Sequence, residues 1–392
     1  MAGPPSAERP LTVGLAARCL NTAHVRGMGR YVYDMLDEAR AAPDVAWVLF
    51  GDDPRHPMTQ PPGLRGQSVI FPFRGDRFQL WEQVGLPRQA EARHVDVLHC
   101  TEGSLPLWQP VPTVVTLHDT LAWTENDGSP WARFYWNTLM PRALARCAAI
   151  ITISECSRRD ILARWPALEP KLSVIPHGIH PAYLDTGTPP EPSKLQRSLQ
   201  PHPYLVYLGG PLPRKRFDWA LKVLQAVPTP ELQLVACGFG EAARPAALAQ
   251  VPAALRERVR FAPFLPDEHL RALYRGAAAV LYPTLYEGFG FPAIEAQAAG
   301  TPAIFSALGS LSELVGPLAH VVPPEDLSAW VQAVVHSLQP GPERAARAAA
   351  AREWAGQFSW ARSCQDHLAV YRRVHRAAAG RSMQPAAPRP RP

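Results

Sequence analysis

The chain has 392 residues, 47% of them hydrophobic and 19% charged, with a formal net charge of +6 and a pI of about 9.1. That is ordinary globular composition, long enough for two domains and too apolar for a disordered chain. The positive charge is too diffuse to argue for nucleic acid, and it suits acidic ligands or an anionic surface.

Apolar, strand-like runs alternate with helical patterns. The first half reads as strands at Leu11–Ala17, Val45–Phe50, Ser68–Phe71, Val95–Cys100, Pro112–Leu117, Ala148–Ser154 and Leu172–Ile175. Helices are expected at Arg30–Arg40, Trp81–Arg93 and Arg133–Arg146. Asp185–Pro203, rich in Pro, Thr, Glu, Ser and Gln, reads as a linker. A second set follows at Tyr204–Leu208, Leu232–Cys237, Val259–Phe261, Ala278–Tyr282, Pro302–Phe305 and Ala319–Val322. Alternation of this kind predicts parallel sheets wrapped by helices. The fold class is therefore α/β, with two Rossmann-like doubly wound domains facing across a cleft. The expected division is 11–184, a linker at 185–203, 204–357, a helix at 358–376 returning to the first domain, and a disordered Ala/Arg/Pro-rich tail at 377–392.

Four lysines stand among 40 basic residues. Six cysteines, Cys19, Cys100, Cys147, Cys156, Cys237 and Cys364, show no CxxC and no zinc spacing, which fits a reducing cytoplasm. Residues 1–10 lack the apolar core of a signal peptide, and no run approaches the ~20 apolar residues of a membrane span.

The richest segment is Glu287-Gly288-Phe289-Gly290-Phe291-Pro292-Ala293-Ile294-Glu295. Gly288 and Gly290 permit backbone angles that other residues resist, and they let a ligand approach bare amides. Pro292 suits the start of a helix, expected from Phe291 to Ala299, whose N-terminus attracts phosphate. Glu287 in the loop and Glu295 one turn into the helix are good acceptors for hydroxyls. Gly209-Gly210-Pro211-Leu212-Pro213-Arg214-Lys215 ends a strand and opens a helix. It reads either as an anion cradle or as a solvated basic helix start. Arg26-Gly27-Met28-Gly29 has a G-x-G, but Val32 stands where a dinucleotide fingerprint has its third glycine, so a close-packed turn is the alternative. His118 closes an apolar strand beside Asp119, at the edge where ligands of such sheets bind, with a purely structural histidine as the alternative. No D-x-D, H-E-x-x-H or G-x-S-x-G occurs, and no metal-ligand set is visible. Trp131, Phe134, Tyr135, Trp136, Leu139 and Met140, with Arg133, Arg142 and Arg146, form either a core stripe or a surface for a lipid-linked acceptor.

In the order Gly27–Tyr31, Trp81-Glu82-Gln83, His118-Asp119, Ile153–Asp160, Val174–Ile179, Pro213–Lys215 and Phe264–Pro302, the chain resembles glycosyltransferase family 4, retaining enzymes with the two-Rossmann GT-B fold. Within that family it looks most like bacterial mannosyltransferases of surface polysaccharide assembly. Two departures stand out. Asn is common where His177 and Arg216 stand, and the glycine-containing segment after Leu314-Val315 is shortened to Gly316-Pro317-Leu318.

The resemblance implies roles. Arg214 and Lys215 neutralise a donor pyrophosphate. Glu287 holds the donor sugar, with the amides of Phe289, Gly290 and Phe291 on its far hydroxyls. Glu295 binds ribose, and Phe264 and Leu265 border the base. Gly27 and Gly29 approach the phosphate from the first domain, and His118 lies beside the sugar, through its backbone carbonyl. The implied reaction moves a hexose, with mannose from GDP-mannose as the donor, to a glycan or lipid-linked acceptor. No metal or other cofactor is expected, and no nucleic acid. The expected place is the cytoplasm, with peripheral membrane association. Alternatives are a sugar-nucleotide epimerase of similar fold and a catalytically silent carbohydrate- or nucleotide-binding protein.

Overall fold

Each of the apolar runs becomes a strand, because a strand buried on both faces must be apolar along its length. The computed structural model describes residues 9–25, 27–72, 80–125, 128–187, 192–339 and 341–382. These form two compact units, one of the described residues up to Gly178 together with those from Trp360 onward, and one of those within Ile179–Ser359.

The first unit holds β1 (Leu11–Ala16), β2 (Val45–Gly51), β3 (Gly66–Ile70), β4 (Val97–Cys100), β5 (Thr113–Leu117), β6 (Ala149–Thr152) and β7 (Leu172–Val174), in the order β3-β2-β1-β4-β5-β6-β7. The second holds β8 (Tyr204–Leu208), β9 (Gln233–Cys237), β10 (Val259–Phe261), β11 (Ala279–Tyr282), β12 (Ala303–Phe305) and β13 (Ala319–Val321), in the order β10-β9-β8-β11-β12-β13. Every strand pair is parallel. The winding reverses between β1 and β4 in one sheet and between β8 and β11 in the other. Such reversals open a crevice beyond the carboxyl ends of the two strands, where ligands of doubly wound sheets bind.

Three local features differ from expectation. Two expected helices each contain a wider, π-helical turn, at Trp81–Gly85 and Tyr135–Leu139. The first buries Glu82, whose carboxylate accepts from Tyr135 Oη at 2.9 Å and Ser104 Oγ at 2.5 Å. The segment expected as a linker contains a helix, Lys194–Leu199, started by a capping box of Ser193 and Gln196. Leu199 of this helix is fully buried, and the second unit begins at Ile179 rather than after the linker. The last helix runs Trp360–Ser382, through the first part of the expected tail; 383–392 lie outside the described residues.

That last helix belongs to the first unit, against the helix Met28–Ala39. A chain of buried hydrogen bonds attaches it. His367 Nδ1 lies 2.8 Å from Ser363 O, and a carbonyl only accepts, so this nitrogen carries the hydrogen. In the neutral ring Nε2 then accepts from Tyr31 Oη at 2.8 Å. Tyr31 in turn accepts from Thr116 Oγ1 at 3.1 Å, and Thr116 from His99 Nε2 at 2.8 Å. His99 Nδ1 accepts from Tyr371 Oη at 2.7 Å, which closes the loop on the same helix. Each hydroxyl gives its one hydrogen once. His99 and His367 are buried, and burial pushes both well below the ordinary imidazole range, His367 to about 4.

Candidate active site

The second unit gathers most of the residues singled out from the sequence. β8 ends at Leu208 and the chain turns on Gly209-Gly210. Gly210 takes φ +66°, and a Cβ there would lie 2.8 Å from Gly238 O in the loop after β9, so only glycine lets the two loops meet. A single 3₁₀ turn, Pro213–Lys215, follows. Leu285 N, in the loop after β11, donates to Arg214 O at 2.9 Å. The loops leaving β8 and β11 are thereby tied together at the winding reversal.

Arg214, Lys215 and Glu287 meet there. Lys215 Nζ donates to Glu287 Oε1, which also accepts from Thr284 Oγ1 at 2.7 Å and lies 3.4 Å from an Arg214 terminal nitrogen. That arginine nitrogen donates to Tyr286 O at 2.7 Å, and Lys215 Nζ also reaches Tyr282 Oη at 3.1 Å. All three donors converge on Oε1. Oε2 has no protein partner among the described residues, so the carboxylate is fixed in orientation with one acceptor oxygen to spare. Burial, and then the Glu287 carboxylate, hold the Tyr282 hydroxyl well above its ordinary range, so it stays neutral. Arg214, Lys215 and Glu287 therefore sum to one net positive charge, which suits a polyanionic ligand.

The turn after Glu287 is pinned from behind. Ser310 Oγ lies 2.7 Å from Glu287 O and 2.8 Å from Phe289 O. Of the two glycines, only Gly290 takes a positive φ, +110°, and a Cβ there would lie 2.5 Å from Leu311 Cδ2. Gly290 caps the helix Phe291–Ala298, with Pro292 at its second position. The start of this helix carries its positive dipole end, and Ala293 N donates back to Gly290 O at 3.0 Å. Phe289 is buried against Phe291 and Phe358, at ring distances of 5.2 and 6.1 Å. One turn on, Glu295 Oε2 accepts from Tyr274 Oη at 3.1 Å. Phe264, 49% exposed, and the half-buried Leu265 stand in the loop after β10.

The remaining residues lie in the first unit. Gly27, at φ +48°, opens the helix Met28–Ala39, and a Cβ on Gly29 would lie 2.6 Å from Cys19 O, so both glycines answer to backbone geometry. His118 follows β5. Its Nε2 donates to Thr101 O at 2.8 Å, and its backbone carbonyl accepts from Ser157 Oγ at 2.9 Å. The imidazole Nδ1 is then an acceptor with no protein partner among the described residues. Burial keeps this ring below its ordinary pKa, hence neutral.

Sequence reasoning gave no role to Thr284, Tyr282, Tyr274 or Ser310, which orient the site. The two positions departing from the family pattern also find their setting. Arg216 is in the left-handed region (φ 55°, ψ 53°), where Asn is better tolerated, and it pairs with Glu325 at 2.6 Å. His177 is buried against Tyr31, 4.7 Å between ring centroids. Among the described residues, no group of three or more His, Cys, Asp or Glu is placed to hold a metal, and no helix is long and apolar enough to cross a membrane.

Residues 25–183 match the family model described as Glycosyltransferase Family 4, and residues 202–339 that of Glycosyl transferases group 1. An O-antigen chain mannosyltransferase B of Escherichia coli is 28% identical over 269 residues, covering 66% of this chain and 70% of that protein. A D-inositol 3-phosphate glycosyltransferase of Salinispora tropica is 29% identical over 249 residues, covering 59% of this chain and 52% of that protein, so the chain spans about half of its length. Among solved structures, a sucrose-phosphate synthase of Thermosynechococcus elongatus superposes with a TM-score of 0.74 at 21% identity, over 93% of this chain and 99% of that one. With two doubly wound units and matches along most of its length, the chain belongs to the family 4 glycosyltransferases of GT-B fold.

Proposed function

We propose that this glycosyltransferase moves a hexose, mannose from GDP-mannose, to a glycan or lipid-linked acceptor with retention of anomeric configuration. The observation that carries the reading is Glu287, with one oxygen clamped by Lys215, Thr284 and Arg214 and the other left to accept a sugar hydroxyl. Lys215 and Arg214 take the donor pyrophosphate and stabilise the nucleoside diphosphate as the glycosidic bond breaks. The amides of Phe289, Gly290 and Phe291 hold the sugar's far hydroxyls, Glu295 holds the ribose, and Phe264 and Leu265 flank the base. From the first unit, Gly27 and Gly29 approach the phosphate and His118 lies beside the sugar. The leaving phosphate takes the acceptor's proton on the face it departs from, so catalysis rests on positioning and charge rather than on an enzymic nucleophile. No metal or other cofactor is needed, because the two cations supply the charge.

The mannosyl donor is supported by the likeness to the mannosyltransferase of Escherichia coli. The proposed location is the cytoplasm, with peripheral membrane association. Trp131 and Phe134 are 47% and 45% exposed, Arg133 and Arg142 are exposed beside them, and Pro130–Arg146 contains no acidic residue. Exposed aromatics beside unopposed arginines suit an anionic headgroup layer.

A panel of sugar nucleotides screened by thermal shift tests the donor. At one hundred times its Kd the true donor stabilises by ~2.7 kcal/mol, a readable shift. Transfer to an acceptor glycan, followed by proton NMR of the new linkage, tests the rest. An inverted linkage, or donor consumption that yields an epimer without transfer, overturns the reading.

A further inference from the structure

The second unit has a cavity that transfer does not use. Its volume is about 120 Å³, and His320, His336, Glu343, Arg344 and Arg347 line it. Its position follows from the strands. Arg344 reaches toward Ala278 O, just before β11, while Pro302 and Leu318, also on the lining, immediately precede β12 and β13. The cavity therefore lies at the amino edge of the sheet. Glu287 and the Gly290 turn lie beyond the carboxyl end of β11, at least ~13 Å away for a strand of four residues.

The lining is cationic and unneutralised. Arg344 donates to Ser337 O at 2.7 Å, and Arg347 Nε donates to Pro317 O at 2.9 Å. The two terminal nitrogens of Arg347 have no protein partner among the described residues, and neither arginine has a carboxylate within ion-pair distance there. His320, on β13, and His336, in the last turn of the helix Leu327–Ser337, stand 5.3 Å apart between ring centroids. Glu343, the acid on this lining, is exposed and pairs with none of the four among the described residues. An exposed arginine needs no partner, because water solvates it. These two are half-buried, and burial lowers the Arg344 guanidinium from its ordinary value. Burial, then Arg347, then His336, push His320 down to about 4. Cations that discourage one another's charge are relieved by an anion.

We propose that this cavity is a second anion site, for a phosphate group, separate from the donor site. A phosphate presents oxygens in several directions, so the terminal fork of Arg347 grips two of them while the imidazoles reach others. A carboxylate has fewer directions to offer. The space holds more than one water, enough for one phosphate group. The phosphate belongs either to a small soluble molecule or to a lipid headgroup, and the chemistry is the same for both.

The test uses the whole chain, with inorganic phosphate as the probe and the imidazole NMR signals of His320 and His336 as the readout. Lys215→Ala is the background, because the donor site also attracts phosphate. The expected result is a saturable shift of both signals in wild type and in Lys215→Ala. Affinity falls by about tenfold or more in Arg347→Ala, which removes both charge-assisted hydrogen bonds of the fork. His336→Gln, at an exposed position, weakens binding as well. Donor transfer is unchanged in both variants, and thermal melts check folding. A shift that never saturates, that chloride reproduces at equal ionic strength, or that survives intact in Arg347→Ala overturns the site. Glycerol phosphate and vesicles of phosphatidylglycerol then separate the sources. Tighter binding of glycerol phosphate than of inorganic phosphate, lost in Arg347→Ala, assigns a soluble ligand. Vesicle binding lost in Arg347→Ala assigns a headgroup.

Discussion

Thr284 Oγ1 donates at 2.7 Å to the same Glu287 oxygen that Lys215 reaches from 72 residues away. The carboxylate is held from one side and cannot rotate to present both oxygens to a ligand. Losing a hydrogen bond to a charged group costs roughly 1.5–3 kcal/mol, equivalent to about 10- to 150-fold in rate. Glu287→Gln is therefore expected to lower kcat by that range, since its proposed contact is to the sugar that changes charge during transfer. Thr284→Val keeps the shape, removes the donor and is expected to lower kcat by a smaller factor. Lys215→Ala is expected to be at least as damaging as Glu287→Gln. Steady-state kinetics with saturating acceptor, and a thermal melt for each variant, measure this. Near-normal kcat in both Glu287→Gln and Lys215→Ala would mean that the cluster is structural.

Glu295 and Tyr274 separate binding from chemistry. Ribose does not change in the reaction, so a contact to it is equal in ground and transition states and acts on KM alone. Glu295→Gln is expected to raise donor KM by about tenfold or more with kcat intact. Tyr274→Phe removes the 3.1 Å hydrogen bond that orients Glu295, and it is expected to raise KM less. A fall in kcat with KM unchanged would remove Glu295 from the ribose.

Transfer is expected to survive exhaustive chelation if, as proposed, Arg214 and Lys215 supply the positive charge that a divalent ion provides elsewhere. Activity before and after chelation decides this, and complete loss restored by Mg²⁺ or Mn²⁺ would defeat the cationic clamp.

Gly290→Ala meets two obstacles at once. The residue sits at φ +110°, and its new methyl would overlap Leu311 Cδ2. Strained backbone of this kind costs of order 1–3 kcal/mol, and overpacking adds a similar amount. The variant is expected to lose stability by about 2 kcal/mol or more, and its donor affinity with it. An unchanged melting temperature would mean that the turn is looser than its geometry indicates.

Acid should loosen the last helix. His367 has a folded pKa of about 4, below its ordinary value, so the unfolded chain takes up the proton first as pH falls. The stability it contributes is whole above pH ~6.5 and is lost progressively toward pH 4, by up to about 3 kcal/mol for His367 alone. His99 acts in the same direction. Urea unfolding at a series of pH values between 7.5 and 4.5 checks it. His367→Gln, which still accepts from Tyr31, is expected to flatten the slope, and an equally steep slope in that variant would exonerate the relay.

Strand positions were readable in the sequence to within two residues or so, because a parallel strand covered on both faces is apolar throughout. The Gly290 turn and the Arg214-Lys215 segment were readable for another local reason. Glycines at fixed places between a strand and a helix report backbone geometry, and backbone geometry is set by near neighbours. The segment 185–203 was misjudged in part because its composition is that of a linker, while burial of Leu199 against the second unit outweighs composition.

Whatever depends on distant partners was decided by tertiary structure alone. Tyr274 and Ser310 have no pattern of their own; each matters through an atom that folding brings within 3.1 Å. The relay from Tyr371 through His99, Thr116 and Tyr31 to His367 joins residues up to 336 positions apart. Its members are single histidines, tyrosines and a threonine on otherwise apolar elements. Periodicity records which face of an element is buried, because the hydrophobic effect is non-directional. Hydrogen bonds require a particular atom at a particular distance and angle, and that information exists only once the sheets have closed and the last helix has docked.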